Sequence, residues 1–134
     1  MTPFKLKILT PDGIHFEGEA TSVTATTEGG DVQILARHAD YLAPLGTGTA
    51  KVAFPDGSER TAACSGGFIS VISGSVNLCA TTFEFKEDID LERAISAEKR
   101  ARAELASSSD ERLERIARAK INRAMSRIRV AKSK

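Results

Sequence analysis

There is no tryptophan in this chain and only one tyrosine, and its two histidines and two cysteines stand apart from one another. Each scarcity removes a class of function. Few aromatic side chains leave little on which single-stranded nucleic acid could stack, so a nucleic-acid partner is not expected. Cys64 and Cys79 have neither CxxC spacing nor accompanying histidines, and they read as reduced, packed side chains with no metal site. His15 and His38 each lie beside a turn signal and read as surface residues rather than bases. No run approaches the roughly 18 apolar residues needed to cross a bilayer. Met1 to Leu9 alternates lysine with apolar residues instead of forming a signal-peptide core, so a soluble chain that starts inside the cell is expected. The nearest thing to a phosphate loop, Ser65-Gly66-Gly67, lacks the lysine and following helix and reads as a tight turn or bulge. A self-contained enzyme is therefore not expected, and no catalytic residue is assigned.

What is present divides unevenly. The 134 residues suffice for one dominant core with an appendage. Residues 1–86 hold 6 Lys+Arg against 9 Asp+Glu, whereas 87–134 hold 13 against 9, so the basic charge is C-terminal. Such a segment is either a solvated helix face or a surface for an acidic partner or a phosphate.

Up to Phe85 the sequence runs in short alternating stretches rich in Thr, Val, Ser and Ile, separated by turn signals. That is the pattern of a β-sandwich or barrel, here of eight to ten strands. Phe4 to Leu9 alternates cleanly and ends at Pro11-Asp12-Gly13; a second strand is expected over Ala20 to Thr26. Pro55-Asp56-Gly57-Ser58 and Ser73-Gly74 each turn a hairpin.

Beyond Lys86 glycine and proline vanish, and alanine, glutamate and arginine take over. The expected division is a β-sandwich domain over 1–86 and a two-helix domain over 87–134. Asp88 reads as the first N-cap, with Leu91, Ala94, Ile95, Ala101 and Leu105 on one face of a helix ending near Ala106. Ser108 with Glu111 reads as a capping box opening a second helix, whose stripe is Leu113, Ile116, Ala117, Ile121, Ala124 and Ile128. So short a break implies an antiparallel hairpin. Its stripe is largely alanine, so the hairpin is marginal alone and must lean on something else.

The arginines of the hairpin are spaced to share faces, Arg93 with Arg100 at i,i+7 and Arg123 with Arg127 at i,i+4. Packing the two stripes would bring four guanidiniums to one edge near Asp90. They are either a phosphate-binding edge or arginines snorkelling beside an apolar seam.

Ile89-Asp90-Leu91-Glu92-Arg93-Ala94 resembles the motif that opens the C-terminal hairpin of epsilon subunits of the bacterial F-type ATP synthase. Arg123-Ala124-Met125-Ser126-Arg127 resembles the basic run of that family's second helix, and Val23, Gly30 to Leu45 and Ser65-Gly66-Gly67-Phe68 match the order of its N-terminal half. The resemblance covers essentially the whole chain. It implies a ten-stranded sandwich with an antiparallel helix hairpin, and a non-catalytic subunit of the central stalk of a proton-translocating ATP synthase. The implied partners are the gamma subunit, the c-ring and the alpha/beta catalytic head, on the cytoplasmic face of the cell membrane, with membrane association only through the complex. It further implies that the hairpin restrains ATP hydrolysis when extended. No cofactor is required, but ATP is a regulatory ligand of the folded form in some relatives. The implied ATP positions are Glu84, Ile89, Asp90, Arg93, Ala94, Arg100, Arg123 and Arg127; a nucleotide-sensing module with little inhibitory role is the alternative.

The chain departs from the family in one loop, where Gly-x-x-Pro-Gly-His is usual and Gln33-Ile34-Leu35-Ala36-Arg37-His38 stands here. Asp31 and His38 are the implied c-ring contacts. Ala36-Arg37 is not expected to reproduce a Pro-Gly turn without adjustment.

Overall fold

A computed structural model describes residues 1–133. Ten strands form two five-stranded sheets, and two helices follow. The first sheet has the order β2-β1-β9-β8-β5, from Gly13–Ala20, Phe4–Thr10, Ser75–Cys79, Phe68–Ile72 and Tyr41–Pro44. The second has the order β10-β7-β6-β3-β4, from Thr82–Phe85, Glu59–Ser65, Thr47–Ala53, Ser22–Thr27 and Gly30–Leu35. Neighbours pair antiparallel except β1 with β9, which run parallel. Period-two alternation sends Leu6, Ile8, Val23, Val52, Ile69 and Leu78 inward, all essentially inaccessible, so the core lies between the sheets.

The expected strand over Ala20 to Thr26 is two elements: β2 ends at Ala20 and β3 begins at Ser22. β2 alternates too, with Ile14, Phe16, Gly18 and Ala20 against His15, Glu17 and Glu19, but it lies at the sheet edge on β1 and only Ala20 of it is fully buried. Ser73 and Gly74 both take positive φ, 50° and 82°, as a two-residue hairpin of the mirror-image type requires. At Gly67 a Cβ would fall 1.9 Å from the Cys79 carbonyl oxygen, so this position of the expected tight turn admits only glycine.

Helix α1 covers Leu91–Ser107 and α2 covers Glu111–Lys132. Both caps differ from the sequence expectation. A 3-10 turn, Lys86–Asp88, occupies Asp88, and Asp90 caps α1 by accepting from the Arg93 amide at 3.1 Å. Ser108 instead ends α1, its amide donating to the Leu105 carbonyl, and Asp110 caps α2 by accepting from the Arg112 amide at 2.9 Å. The helices pack antiparallel, with Lys120 Nζ 3.1 Å from Glu104 Oε2 and Arg102 beside the Met125 sulfur. Ala94, Ala101, Ala117, Ile121 and Ala124 are buried at or near this seam, but Leu113 and Ile116 remain 51% and 41% exposed. They stand near the tip of the hairpin, where no sheet covers them.

The C-terminal half of α2 lies on β6 and β7. By strand alternation the sheet face beneath it presents Thr47, Thr49, Thr61, Ala63 and Ser65, with Thr82 and Glu84 alongside on β10. Buried Ser126 donates to the Gly48 carbonyl at 2.9 Å, and Val130 is fully buried. The docking surface is thus small, hydroxyl-rich and poor in large apolar anchors.

Candidate functional site

The junction between strand β10 and the helices builds the site. Phe85 ends the strand with its ring against Phe83 at 5.0 Å, and the Arg60 guanidinium lies 3.6 Å over its centroid. The same guanidinium reaches Glu87 Oε2 at 3.4 Å. A backbone hydrogen bond and then Arg60 hold the Glu87 carboxyl below its ordinary value. The 3-10 turn closes with the Ile89 amide donating to the Lys86 carbonyl at 3.2 Å, and Lys86 Nζ donates to the Ser133 carbonyl. These contacts fix where α1 begins relative to the sheet and to the last turn of α2.

Between them opens a cleft of about 300 Å³ walled by Glu84, Asp88, Asp90, Arg93, Ala94 and Arg127. Five of the eight implied ATP positions share it: Glu84, Asp90, Arg93, Ala94 and Arg127. Arg123 lies one turn away, lining with Arg127 a crevice of about 10 Å³ among Thr47, Ser65 and Thr82. Ile89 is half-buried, does not line the cleft, and its amide makes the last bond of the 3-10 turn. Arg100 is exposed on α1 and is not part of the wall, so the four-guanidinium edge reduces here to Arg93 and Arg127, with Arg123 adjacent. The sequence did not point to Asp88 as a wall residue, because its reading as a helix cap claimed that side chain.

Three carboxylates against two guanidiniums make the cleft mixed in charge. Arg127 Nε is 3.2 Å from Glu84 Oε1 and so is held to the sheet. Carboxylates accept from amino and hydroxyl groups, whereas guanidiniums donate to anions. The cleft therefore offers acceptors and donors side by side.

Asp31 and His38 are not brought together. Asp31 lies near the start of β4, which extends at about 3.3 Å per residue, and His38 lies three residues beyond its end at Leu35. Asp31 accepts from Thr26 Oγ1 at 2.9 Å, while His38 Nδ1 donates to the Ala39 carbonyl at 2.7 Å and its ring meets Tyr41 edge-on. The Leu35 to His38 turn does form. The His38 amide donates to the Leu35 carbonyl at 3.3 Å, and the adjustment falls on Arg37, which takes φ of 65°.

Comparison with known proteins finds two family models along the chain. Residues 3–86 match the family model described as ATP synthase, Delta/Epsilon chain, beta-sandwich domain, and residues 87–132 match the long alpha-helix domain of the same chain. Among curated proteins, the ATP synthase epsilon chain of Shouchella clausii is 37% identical over all of this chain and 98% of its own length. That of Bacillus velezensis is 38% identical over 98% of each. Among solved structures, a chain of the Euglena gracilis mitochondrial ATP synthase superposes with TM-score 0.80 at 23% identity, over 94% of this chain and 79% of its own. A chain of the Tetrahymena thermophila mitochondrial ATP synthase central stalk and c-ring gives 0.63 at 13% identity, over 95% of both. These two show a shared fold.

Proposed function

This chain belongs to the ATP synthase delta/epsilon-chain family, as an epsilon chain and so a non-catalytic subunit of the central stalk, and from that premise we propose that its helical hairpin is a detachable regulator of ATP hydrolysis. The observation that carries this reading is the way the hairpin is held. A buried hydrogen bond from Ser126, a half-exposed ion pair at Glu84–Arg127 and the Lys86–Ser133 contact join it to a sheet face of threonine, serine and alanine. Such a face tolerates water when uncovered, so undocking leaves the sandwich intact. A weakly held element with a second place to bind is what a switch requires.

In this reading the sandwich sits beside the gamma subunit and on the c-ring, at the cytoplasmic face of the cell membrane, and it couples both to the alpha/beta head. The exposed apolar side chains Leu42, Phe68 and Ile72, on adjacent strands β5 and β8, support a protein partner on that face. The undocked α2 carries its arginines to an acidic surface of the catalytic head. Among the described residues no helix is long and apolar enough to cross a membrane, and in this reading attachment runs through the complex. Removing Asp88 to Lys134 is expected to raise ATP hydrolysis by the reconstituted synthase without preventing assembly. Unchanged hydrolysis would contradict the inhibitory role.

A second function, regulatory ATP binding, is favoured by the cleft that gathers Glu84, Asp90, Arg93, Ala94 and Arg127. Carboxylates at the start of α1 would take the donor groups of base and ribose; Arg127 and neighbouring Arg123 would take the phosphates. Arg100 would join only by reaching along α1. Because these walls come from both the sheet and the hairpin, ATP would bind the docked state alone and stabilise it.

A further inference from the structure

Resting on the reading that the β4–β5 loop docks within the ATP synthase, we infer that Arg37 is an ion-pairing anchor for a carboxylate of a partner subunit. Four observations converge on it. Its backbone takes φ of 65°, a conformation disfavoured for a residue with a side chain and native to glycine. The turn itself needs a positive φ here, and glycine would meet that need without strain, so an arginine at this position makes its side chain a candidate for use.

The loop is also braced from both sides. The His38 amide closes the turn on the Leu35 carbonyl at 3.3 Å, and Asp40 Oδ1 accepts from the Ser73 amide at 2.9 Å. Arg37 is exposed and has no ion-pair partner among the described residues. The sandwich has only one other arginine, Arg60, and that one is committed to Phe85 and Glu87. A loop whose backbone is braced thus presents a single uncommitted guanidinium, so pairing has only the side chain left to order.

The charge around it selects the occupant. Guanidinium pairs with either carboxylate or phosphate. Residues 1–86 carry 6 Lys+Arg against 9 Asp+Glu, a net of −3, and Asp40 stands three residues from Arg37. Recognition of an anionic bilayer uses clusters of about four to eight basic residues, which this surface lacks. A lone cation, two residues from exposed Leu35 and five from exposed Leu42, suits one discrete acidic side chain on a protein surface better than a bilayer.

The test is rebinding of the full chain to ATP synthase stripped of this subunit, with wild type, Arg37→Gly and Arg37→Lys, at low and high salt. Each variant is also melted, and wild type is mixed with phosphatidylglycerol vesicles. The inference expects Arg37→Gly to melt about 3 °C higher, since strain is removed, and yet to rebind about five-fold more weakly at low salt. Arg37→Lys should keep much of the affinity. Equal rebinding by wild type and Arg37→Gly overturns the inference while leaving the assignment to the synthase intact. Failure of wild type itself to rebind overturns the docking reading on which it rests. Binding of wild type to the vesicles, lost in Arg37→Gly, overturns the carboxylate in favour of a lipid headgroup.

Discussion

Arg127, near the end of the second helix, lies 3.2 Å from Glu84 on the last strand, and that ion pair spans the boundary between sandwich and hairpin. It closes one side of the cleft that also holds Asp90 and Arg93. A single contact therefore belongs both to the docking of the hairpin and to the proposed nucleotide site, which couples the two physically.

Glu84→Gln is expected to loosen the hairpin only slightly. The side chains are 39% and 26% exposed, so the pair contributes about 0.5 to 1 kcal/mol at most. Hydrogen exchange of α2 amides should speed up a few-fold, with the amides of β6 and β7 unaffected.

Ser126→Val should act more strongly. It removes the buried donor to the Gly48 carbonyl, at a cost of about 1 kcal/mol or more in docking. The same exchange experiment reads it; protection of α2 equal to wild type would show that the hairpin is held elsewhere.

Gly67→Ala should destabilise the sandwich itself. Its Cβ would meet the Cys79 carbonyl oxygen at 1.9 Å and its φ of 82° disfavours a side chain, so a loss of about 3 kcal/mol or more is expected in denaturant melts. Gly74→Ala shares the positive φ but meets open space, and should cost about 1 kcal/mol.

Burial pushes the Cys64 thiol up to about 12 from an ordinary value near 9. The folded state therefore keeps a proton that the unfolded chain loses, and stability declines as pH rises from about 9 towards 12, by at most about 1.4 kcal/mol per pH unit. Because the thiolate is the reactive form, alkylation at pH 8 should leave Cys64 unlabelled until the protein unfolds. Rapid labelling of native Cys64 would contradict its burial.

Legibility in the sequence followed the range of the interactions. Strands such as β1 declared themselves because alternate residues from Phe4 to Leu9 face one core, and the change of composition at Lys86 marked the start of the helical part. β2 was missed although Ile14, Phe16, Gly18 and Ala20 alternate with His15, Glu17 and Glu19, because a small Gly18 and an exposed Ile14 leave this edge strand a weak inward stripe. The parallel pairing of β1 with β9 is a long-range choice that no local signal carries. Helix caps were misplaced by two residues at both starts, because Asp88 and Ser108 are good capping types whose backbones were claimed by a 3-10 turn and by the end of α1.

For the candidate site, helical spacing put Arg93 and Arg127 near Asp90, as the cleft has them. It could not tell that Arg100 stays outside, because that depends on how far along the hairpin the sheet reaches. Nor could it reveal Arg60, whose hold on Phe85 and Glu87 joins residues remote in sequence.

The central claim is that the hairpin is a detachable element whose docked state a ligand in the strand–hairpin cleft can hold, and calorimetric titration of the full chain with ATP tests it most directly. Saturable binding by wild type, abolished in both Arg93→Ala and Arg123→Ala, is the predicted result. Absence of heat and saturation at millimolar ATP, or binding unaltered in both variants, would contradict it.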